Sequence, residues 1–140
     1  MPTSSVATAL AAVPLFTGCS KRELGQIAKA GTEISKPAGA IIAEQGQLGR
    51  EAFVILEGTV DVKRGGRKIT SLGKGDIVGE LALLDHGPRT ATVECVNECT
   101  FFVLDQRQFR KAIEGHPAIA IKLLGTLAER IREFDRKYFA

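Results

Sequence analysis

Glycine-containing turn signals divide the middle of the chain into short segments. They lie at Pro37-Ala38-Gly39, Glu44-Gln45-Gly46, Glu57-Gly58, Gly65-Gly66 and Gly73-Lys74-Gly75. Between these turns the apolar residues follow the two-residue period of β-strands. We therefore predict eight strands, over residues 32–36, 40–44, 52–56, 59–64, 67–72, 76–78, 89–96 and 100–104. Strands of this length and spacing are typical of a sandwich, a barrel or a jelly roll.

Helical patterns precede the strands. An apolar run near the N-terminus predicts a short helix through Ala12, which Pro14 ends. Ser20 and Glu23 have the spacing of a capping box, so we expect a second helix to begin after Ser20. Gly31 ends that helix, and the N-terminal helices thus occupy residues 1–31.

Two further helices are predicted after the strands, within residues 106–138. The first covers residues 106–114, and the longer one covers residues 118–138. Apolar residues of the long helix recur at alternating intervals of four and three, which is the spacing of a coiled-coil seam. They are Ala120, Leu124, Leu127, Ile131, Phe134 and Tyr138. This stripe either packs on the strands or forms the seam of a homodimer, and the spacing alone leaves both interpretations open.

The size and charge of the chain restrict the class of protein. Its 140 residues suffice for one compact domain, with the strands in residues 32–105. The net charge of +3 is too small to indicate a nucleic-acid surface. The N-terminal apolar run has no Lys or Arg before it, and no run approaches the roughly 18 residues of a membrane span. We therefore expect a cytoplasmic protein without membrane contact, in which Cys19, Cys95 and Cys99 stay reduced.

The stretch over residues 73–93 has the composition of an anion site. If Glu80 begins a single helical turn, the free amides of Gly79, Glu80, Leu81 and Ala82 favour an anion at its start. Arg89 follows Pro88, and its planar guanidinium matches two phosphate oxygens where a lysine would be only a point charge. These residue types in this order predict a phosphate cradle.

Glu80 makes the prediction more specific. A carboxylate repels a phosphate, but it accepts a strong hydrogen bond from a sugar hydroxyl. Phosphate and hydroxyl together indicate a nucleotide. The alternative is that Glu80 and Arg89 form a surface ion pair worth less than about 1 kcal/mol and bind nothing. The neighbouring glycines and the Pro-Arg-Thr-Ala-Thr run at residues 88–92 favour the nucleotide.

The same stretch resembles a known cassette. Val-Gly-Glu-Leu-Ala-Leu-Leu at residues 78–84, followed by Pro-Arg-Thr-Ala-Thr-Val at residues 88–93, is similar to the phosphate-binding cassette of cyclic nucleotide-binding domains, the family of the catabolite activator protein and protein kinase A regulatory subunits. Ile42, Gln45-Gly46, the segment 53–58 and Gly75-Asp76 resemble that family's framework. The resemblance covers residues 14–134. It implies an eight-stranded β-roll (jelly roll) with N-terminal helices and a C-terminal helical lid.

The resemblance also implies roles for individual residues of the cassette, which we place at residues 79–91. Arg89 would bind the exocyclic phosphate oxygens and Glu80 the ribose 2′-hydroxyl. Backbone amides of residues 79–82 and near Ala91 would complete the cradle. Thr90 stands where a hydroxyl in some family members reaches the purine and can assist cGMP binding, but a hydroxyl there also occurs in cAMP binders, so it does not decide between the two ligands. The expected ligand is cAMP, with cGMP less favoured.

The resemblance places Phe134 of the long helix where relatives contact the purine. An aromatic ring there could stack on the base, and Arg130, one turn earlier, could make a cation–π contact with it. The alternative is that Phe134 belongs to the apolar stripe of the helix.

Other functions of a jelly roll find no support in the sequence. A cupin-type metalloenzyme needs a cluster of ligands, whereas His86 lies in a predicted loop and His116 beside a proline. The cysteines have no strand-borne histidine to activate them, so we expect no enzyme, no metal and no cofactor. No helix-turn-helix follows the long helix before Ala140, so we expect no direct DNA binding.

The expected function is a regulatory sensor. A cyclic nucleotide would bind at the cassette, the last two helices would close as a lid, and a second copy or a separate effector protein would read the C-terminal helix. The alternative is a degenerate family member that serves as an interaction or dimerisation module and binds no nucleotide.

Overall fold

The described part of the chain forms four α-helices and eight β-strands. The computed structural model describes residues 3–139, with side chains described for residues 6–137. The helices are α1 (Thr3–Ala11), α2 (Lys21–Lys29), α3 (Gln106–Glu114) and α4 (Pro117–Phe139), with 3-10 turns at Pro14–Phe16 and Glu80–Leu83. The strands are β1 (Thr32–Lys36), β2 (Ile41–Ala43), β3 (Glu51–Glu57), β4 (Val60–Arg64), β5 (Arg67–Leu72), β6 (Ile77–Val78), β7 (Thr92–Cys95) and β8 (Cys99–Asp105).

The strands form two antiparallel four-stranded sheets, in the orders β1-β8-β3-β6 and β2-β7-β4-β5. This arrangement confirms the predicted jelly roll with flanking helices. The bounds of β1, β5 and α3 agree with the prediction to the residue. Each of the five predicted turns contains glycine with positive φ, at Gly39, Gly46, Gly58, Gly65, Gly66 and Gly75.

The central strand β3 is buried on both faces, because helices cover one side of its sheet and the second sheet covers the other. Ala52, Val54 and Leu56 pack against the helices, whereas Phe53 and Ile55 point between the sheets. Residues of β8 alternate in the same way. The molecule therefore has two apolar cores that share one sheet.

All three cysteines are free thiols, as expected. Cys95 and Cys99 lie in the core between the sheets. Burial and the neighbouring Cys99 raise the pKa of the Cys95 thiol to about 11. The Cys95 thiol therefore acts as a small apolar side chain at neutral pH.

The N-terminal helices pack on the outer face of the first sheet. Ser20 and Glu23 form the predicted capping box, in which Ser20 Oγ accepts from the Glu23 amide at 3.2 Å and Glu23 Oε1 accepts from the Ser20 amide at 2.8 Å. The turn at Pro14–Phe16, which was not predicted, buries Leu15 and Phe16 in this core.

One strand prediction was wrong in part. The strand predicted over residues 89–96 begins only at Thr92. The reason is that Arg89 pairs with a loop: its amide donates to Gln47 O at 2.7 Å, and its carbonyl accepts the Gly46 amide at 2.9 Å. This backbone is therefore not available to a sheet.

The predicted stripe of α4 coincides only in part with the face that packs into the helical core on the first sheet. Ile119 and Leu123 are buried there and Leu127 partly so. Leu124 and Ile131 are 66% and 69% exposed, respectively. The side chain of Tyr138 lies outside the described residues.

Candidate functional site

The segment over residues 79–91 lines a cavity of about 550 Å³ between the two sheets and the turn at Glu80–Leu83. The opposite wall is mostly apolar and includes Val62, Leu72 and Val93. Seven residues predicted from the sequence lie along this cavity: Gly79, Glu80, Leu81, Ala82, Arg89, Thr90 and Ala91. The structure thus brings both ends of the predicted cassette to one place.

Arg89 lies in a narrow slot that two glycines leave open. Its Nη2 donates to Glu51 O at 2.7 Å, and its guanidinium carbon is 5.9 Å from the centre of the Phe53 ring. A Cβ at Gly79 would lie 2.1 Å from Nη1, and one at Gly49 would lie 2.2 Å from Nε. Gly79 also has φ of +75°, which favours glycine. Any larger residue at these two positions would displace the guanidinium.

The backbone around Arg89 is held as firmly as its side chain. In addition to the bonds from residue 89 to Gln47 and Gly46, Arg64 Nε donates to Thr90 O at 3.1 Å. The segment that carries the arginine is thereby tied to the loop before β3 and to the end of β4.

Arg89 forms no ion pair with the residues that the structure describes. Within the described part of the chain, no carboxylate oxygen lies within 4.0 Å of it, and its buried Nη1 has no hydrogen-bond partner. Burial lowers the pKa of the guanidinium, and the charge of nearby Glu51 partly opposes this shift. A half-buried charge of this kind is stabilised by an anion.

The turn at Glu80–Leu83 supplies amides beside this charge. Its first internal hydrogen bond runs from the Ala82 amide to Gly79 O at 3.0 Å. The amides of Glu80 and Leu81 precede that bond and remain available to a ligand. In this structure the turn itself uses the Ala82 amide, and the assignment of that amide to the cradle stays a prediction.

Glu80 is held by α4. Its Oε1 lies 2.7 Å from Arg130 Nη1, and the Glu80 and Arg130 side chains are 15% and 42% exposed, respectively. Its Oε2 is buried and has no hydrogen-bond partner among the described residues. One carboxylate oxygen is thus bound to the C-terminal helix, and the other is unpaired.

The two residues predicted to contact a purine lie elsewhere. Arg130 and Phe134 do not line the cavity, and Phe134 is 57% exposed. In this structure the contact of Arg130 is the carboxylate of Glu80. Both assignments to the purine stay predictions.

Sequence reasoning missed the residues that hold Arg89 in place. Glu51 and Gln47 act through their backbone carbonyls, so their side chains give no signal. Gly49 could have been noticed, because a glycine between a turn and a strand often marks the close approach of another group.

Among the residues that the structure describes, no group of metal ligands accompanies this site. In the described part of the chain, no three His, Cys, Asp or Glu side chains are grouped so that they could hold a metal ion. His86 and His116 are both exposed. Over the same residues, no helix has the length and apolar character needed to cross a membrane.

Comparison with known proteins identifies the family. The sequence pattern of the cyclic nucleotide-binding domain matches residues 33–116. The chain belongs to the cyclic nucleotide-binding domain family. Its matched region contains all eight strands except the first residue of β1, together with the whole cassette and α3.

Relatives of this domain occur in proteins of different kinds. The chain is 36% identical over 121 residues to a cyclic nucleotide-gated potassium channel of Rhizobium etli, covering 86% of this chain and 34% of the channel. It is 30% identical over 128 residues to a CRP-like cAMP-activated global transcriptional regulator of Mycobacterium tuberculosis, covering 88% of this chain and 57% of the regulator. The chain thus spans between about a third and three fifths of these relatives.

A solved structure supports the same fold. The N-terminal domain of a transcriptional regulator from Streptomyces coelicolor matches with a TM-score of 0.83 at 27% identity, covering 90% of this chain and 91% of that one. The eight strands and the flanking helices thus form the cyclic nucleotide-binding fold.

Proposed function

We propose that this cyclic nucleotide-binding domain is a sensor that binds cAMP in preference to cGMP in the cavity lined by residues 79–91. The proposed function includes no catalytic step, no metal and no cofactor. The observation that carries the proposal is the charge of Arg89, which lines the cavity with Nη1 unpaired.

A cyclic phosphate supplies what Arg89 lacks. A half-buried charge without a partner is costly, because it loses solvation and gains no compensating contact. A cyclic phosphodiester carries one negative charge and two exocyclic oxygens, and the planar edge of a guanidinium can donate to both. The amides of Glu80 and Leu81 directly follow Gly79, which borders Arg89 Nη1, and they would complete the coordination of the phosphate.

Glu80 favours a nucleotide over a free phosphate. Its Oε2 is unpaired in the described chain and is the oxygen available to accept a hydrogen bond from the ribose 2′-hydroxyl. The apolar wall formed by Val62, Leu72 and Val93 suits a purine base. Phosphate, sugar and base thus each have a matching surface in one cavity.

We further propose that α4 transmits the occupancy of the cavity. Arg130 of this helix bonds to Glu80, so α4 contacts the residue assigned to the ribose. A ligand shifts an equilibrium only by its different affinities for the two states, so the bound nucleotide must contact α4 in the closed state. A second copy of the chain or a separate effector then reads the helix, without direct DNA binding.

An interaction module without nucleotide binding is the second candidate. The exposed apolar side chains of Ile121, Leu124 and Ile131 on α4 favour this alternative, because they offer a surface to a partner.

Calorimetric titration of the chain with cAMP, cGMP and 5′-AMP tests the proposal. We expect one site per chain, tighter binding of cAMP than of cGMP, and weak binding of 5′-AMP because its additional negative charge lies near Glu80. Absence of binding by both cyclic nucleotides at millimolar concentration would reject the proposal in favour of the interaction module. Tighter binding of cGMP would overturn the preference.

A further inference from the structure

A second cavity, of about 650 Å³, lies between α3 and the loop that follows the cassette turn. It shares no lining residue with the first cavity. Four permanent cations and two carboxylates lie along it: Arg50, Arg107, Arg110 and Lys111, with Asp105 and Glu114. Its lining therefore has an excess of positive charge.

The cations of this cavity are not neutralised by neighbouring side chains. Over the described residues, the side chains of Arg50, Arg107, Arg110 and Lys111 take part in no ion pair and no hydrogen bond. The Asp105 carboxylate already caps α3, where it accepts the amides of residues 107 and 108 at 2.7 and 3.3 Å. Four donor groups thus remain available to a ligand.

Gln106 fixes the walls of the cavity relative to one another. It is the buried polar residue of the described chain, at 7% exposure. Its side-chain Nε2 donates to Ala82 O at 3.1 Å and to Asp85 O at 2.8 Å, and its backbone amide donates to Arg50 O at 2.8 Å. These three bonds join α3, the start of β3 and the loop before His86. The cations are therefore carried by elements that are already held in place.

The spacing of the cations suits a compact ligand. Arg107, Arg110 and Lys111 lie at positions i, i+3 and i+4 of α3, so they share one face and span about 6 Å along its axis. Arg50, just before β3, and His86, in the loop, line the same cavity. A volume of about 650 Å³ lies within the range of small-molecule sites.

We propose that this second cavity binds a small polyanion that carries two or more phosphate groups. Arginine forks pair with phosphate oxygens in a bidentate manner, and a multiply charged ligand can contact several of these cations at once. The site is separate from the one proposed for the cyclic nucleotide, and it stands whether or not the first cavity binds cAMP.

Titration of the full chain with inorganic triphosphate at about 0.15 M salt tests this site, because nonspecific charge attraction is largely screened there. We expect one bound triphosphate per chain. The double variant Arg110→Gln/Lys111→Gln should weaken binding by about tenfold or more, since each lost contact is charge-assisted. Both side chains are exposed and glutamine is a good helix former, so α3 should remain folded.

Two further variants serve as controls. Arg67→Gln/Lys74→Gln removes the same charge from exposed positions that line neither cavity, and it should leave the affinity unchanged. Arg89→Ala should also leave it unchanged. An equal loss in the first control would mean nonspecific attraction and overturn the proposal. Loss of binding in Arg89→Ala alone would place the triphosphate in the first cavity. Tighter binding of an Asp/Glu-rich peptide than of triphosphate would show that the cavity binds an acidic protein segment, and it would overturn the proposal of a small ligand.

Discussion

Arg89 is the residue whose placement determines what the first cavity can bind. Glu51 O and the Phe53 ring contact its guanidinium, and its buried Nη1 is unpaired among the described residues. Gly49 and Gly79 provide the space for this orientation. The arginine therefore reaches the cavity as an ordered, charged donor.

Replacing Arg89 should separate the effect of charge from that of shape. We expect Arg89→Ala to weaken cAMP binding by about 2–5 kcal/mol, because the phosphate loses its charge partner. Arg89→Lys should restore only part of the loss, since an ammonium cannot form the planar two-point contact. Calorimetry measures both affinities, and Arg67→Gln, an exposed arginine outside the cavity, serves as the control. Affinity of Arg89→Ala equal to that of the wild type would contradict the assigned role.

The sequence allowed prediction of the residues whose own side chains act. Glu80 and Arg89 stand out because a carboxylate and a guanidinium flank a glycine-rich turn within a short stretch. The support from Glu51 comes from a backbone carbonyl 38 positions away, and such a contact leaves no trace in the side-chain pattern. The hydrogen bond that the Ala82 amide makes within the turn could not be predicted, because a 3-10 turn forms its first bond one residue earlier than an α-helix would.

Helix α4 connects the cassette with the helical core. Ile119 and Leu123 anchor its first half in the core, and the Glu23–Lys122 ion pair ties it to α2. Its second half contacts the cassette through Arg130 and Glu80. The helix therefore has one end fixed in the core and the other bonded to the binding site.

The ion pair between Arg130 and Glu80 should support nucleotide binding. Arg130 occupies Oε1 and orients the carboxylate, so we expect Arg130→Gln to weaken cAMP binding by less than about tenfold. A calorimetric double-mutant cycle with Glu80→Gln measures the coupling, and Arg132→Gln on the same helix is the control. Tighter binding by Arg130→Gln would show instead that the pair competes with the ribose.

The bounds of the helices and strands could be predicted better than which face of each is buried. Turn glycines and the proline at residue 117 marked the ends of strands and helices, because these signals are local. In α4, however, one set of apolar side chains is buried in the core and another is exposed to solvent, and both sets have helical spacing. Periodicity identifies a helix without telling which stripe is covered, so Ile119 and Leu123 were missed. The strand predicted from residue 89 failed because the pairing of Arg89 with a distant loop outweighed local β-propensity.

For the whole molecule, the open question is assembly through α4. We expect the chain to form a dimer at high concentration, because Leu124 and Ile131 expose apolar surface. Leu124→Ser/Ile131→Ser should shift the mass measured by light scattering to that of a monomer. Ile41→Ser/Ile69→Ser removes comparably exposed apolar side chains from the strands and should leave the dimer intact. A monomeric wild type, with and without cAMP, would contradict this expectation.

Strand β3 links all of these features, because each of its faces belongs to a different core. Glu51, its first residue, accepts the hydrogen bond of Arg89, and Arg50, just before it, accepts that of Gln106. A slip of β3 by one residue would turn Phe53 and Ile55 toward the helices. The same slip would move the Glu51 carbonyl away from Arg89. It would also break the bond between the Arg50 carbonyl and Gln106, which joins two walls of the second cavity. The register of a single strand thus sets both cores and both cavities, so a chain that folds correctly has its binding surfaces assembled at the same time.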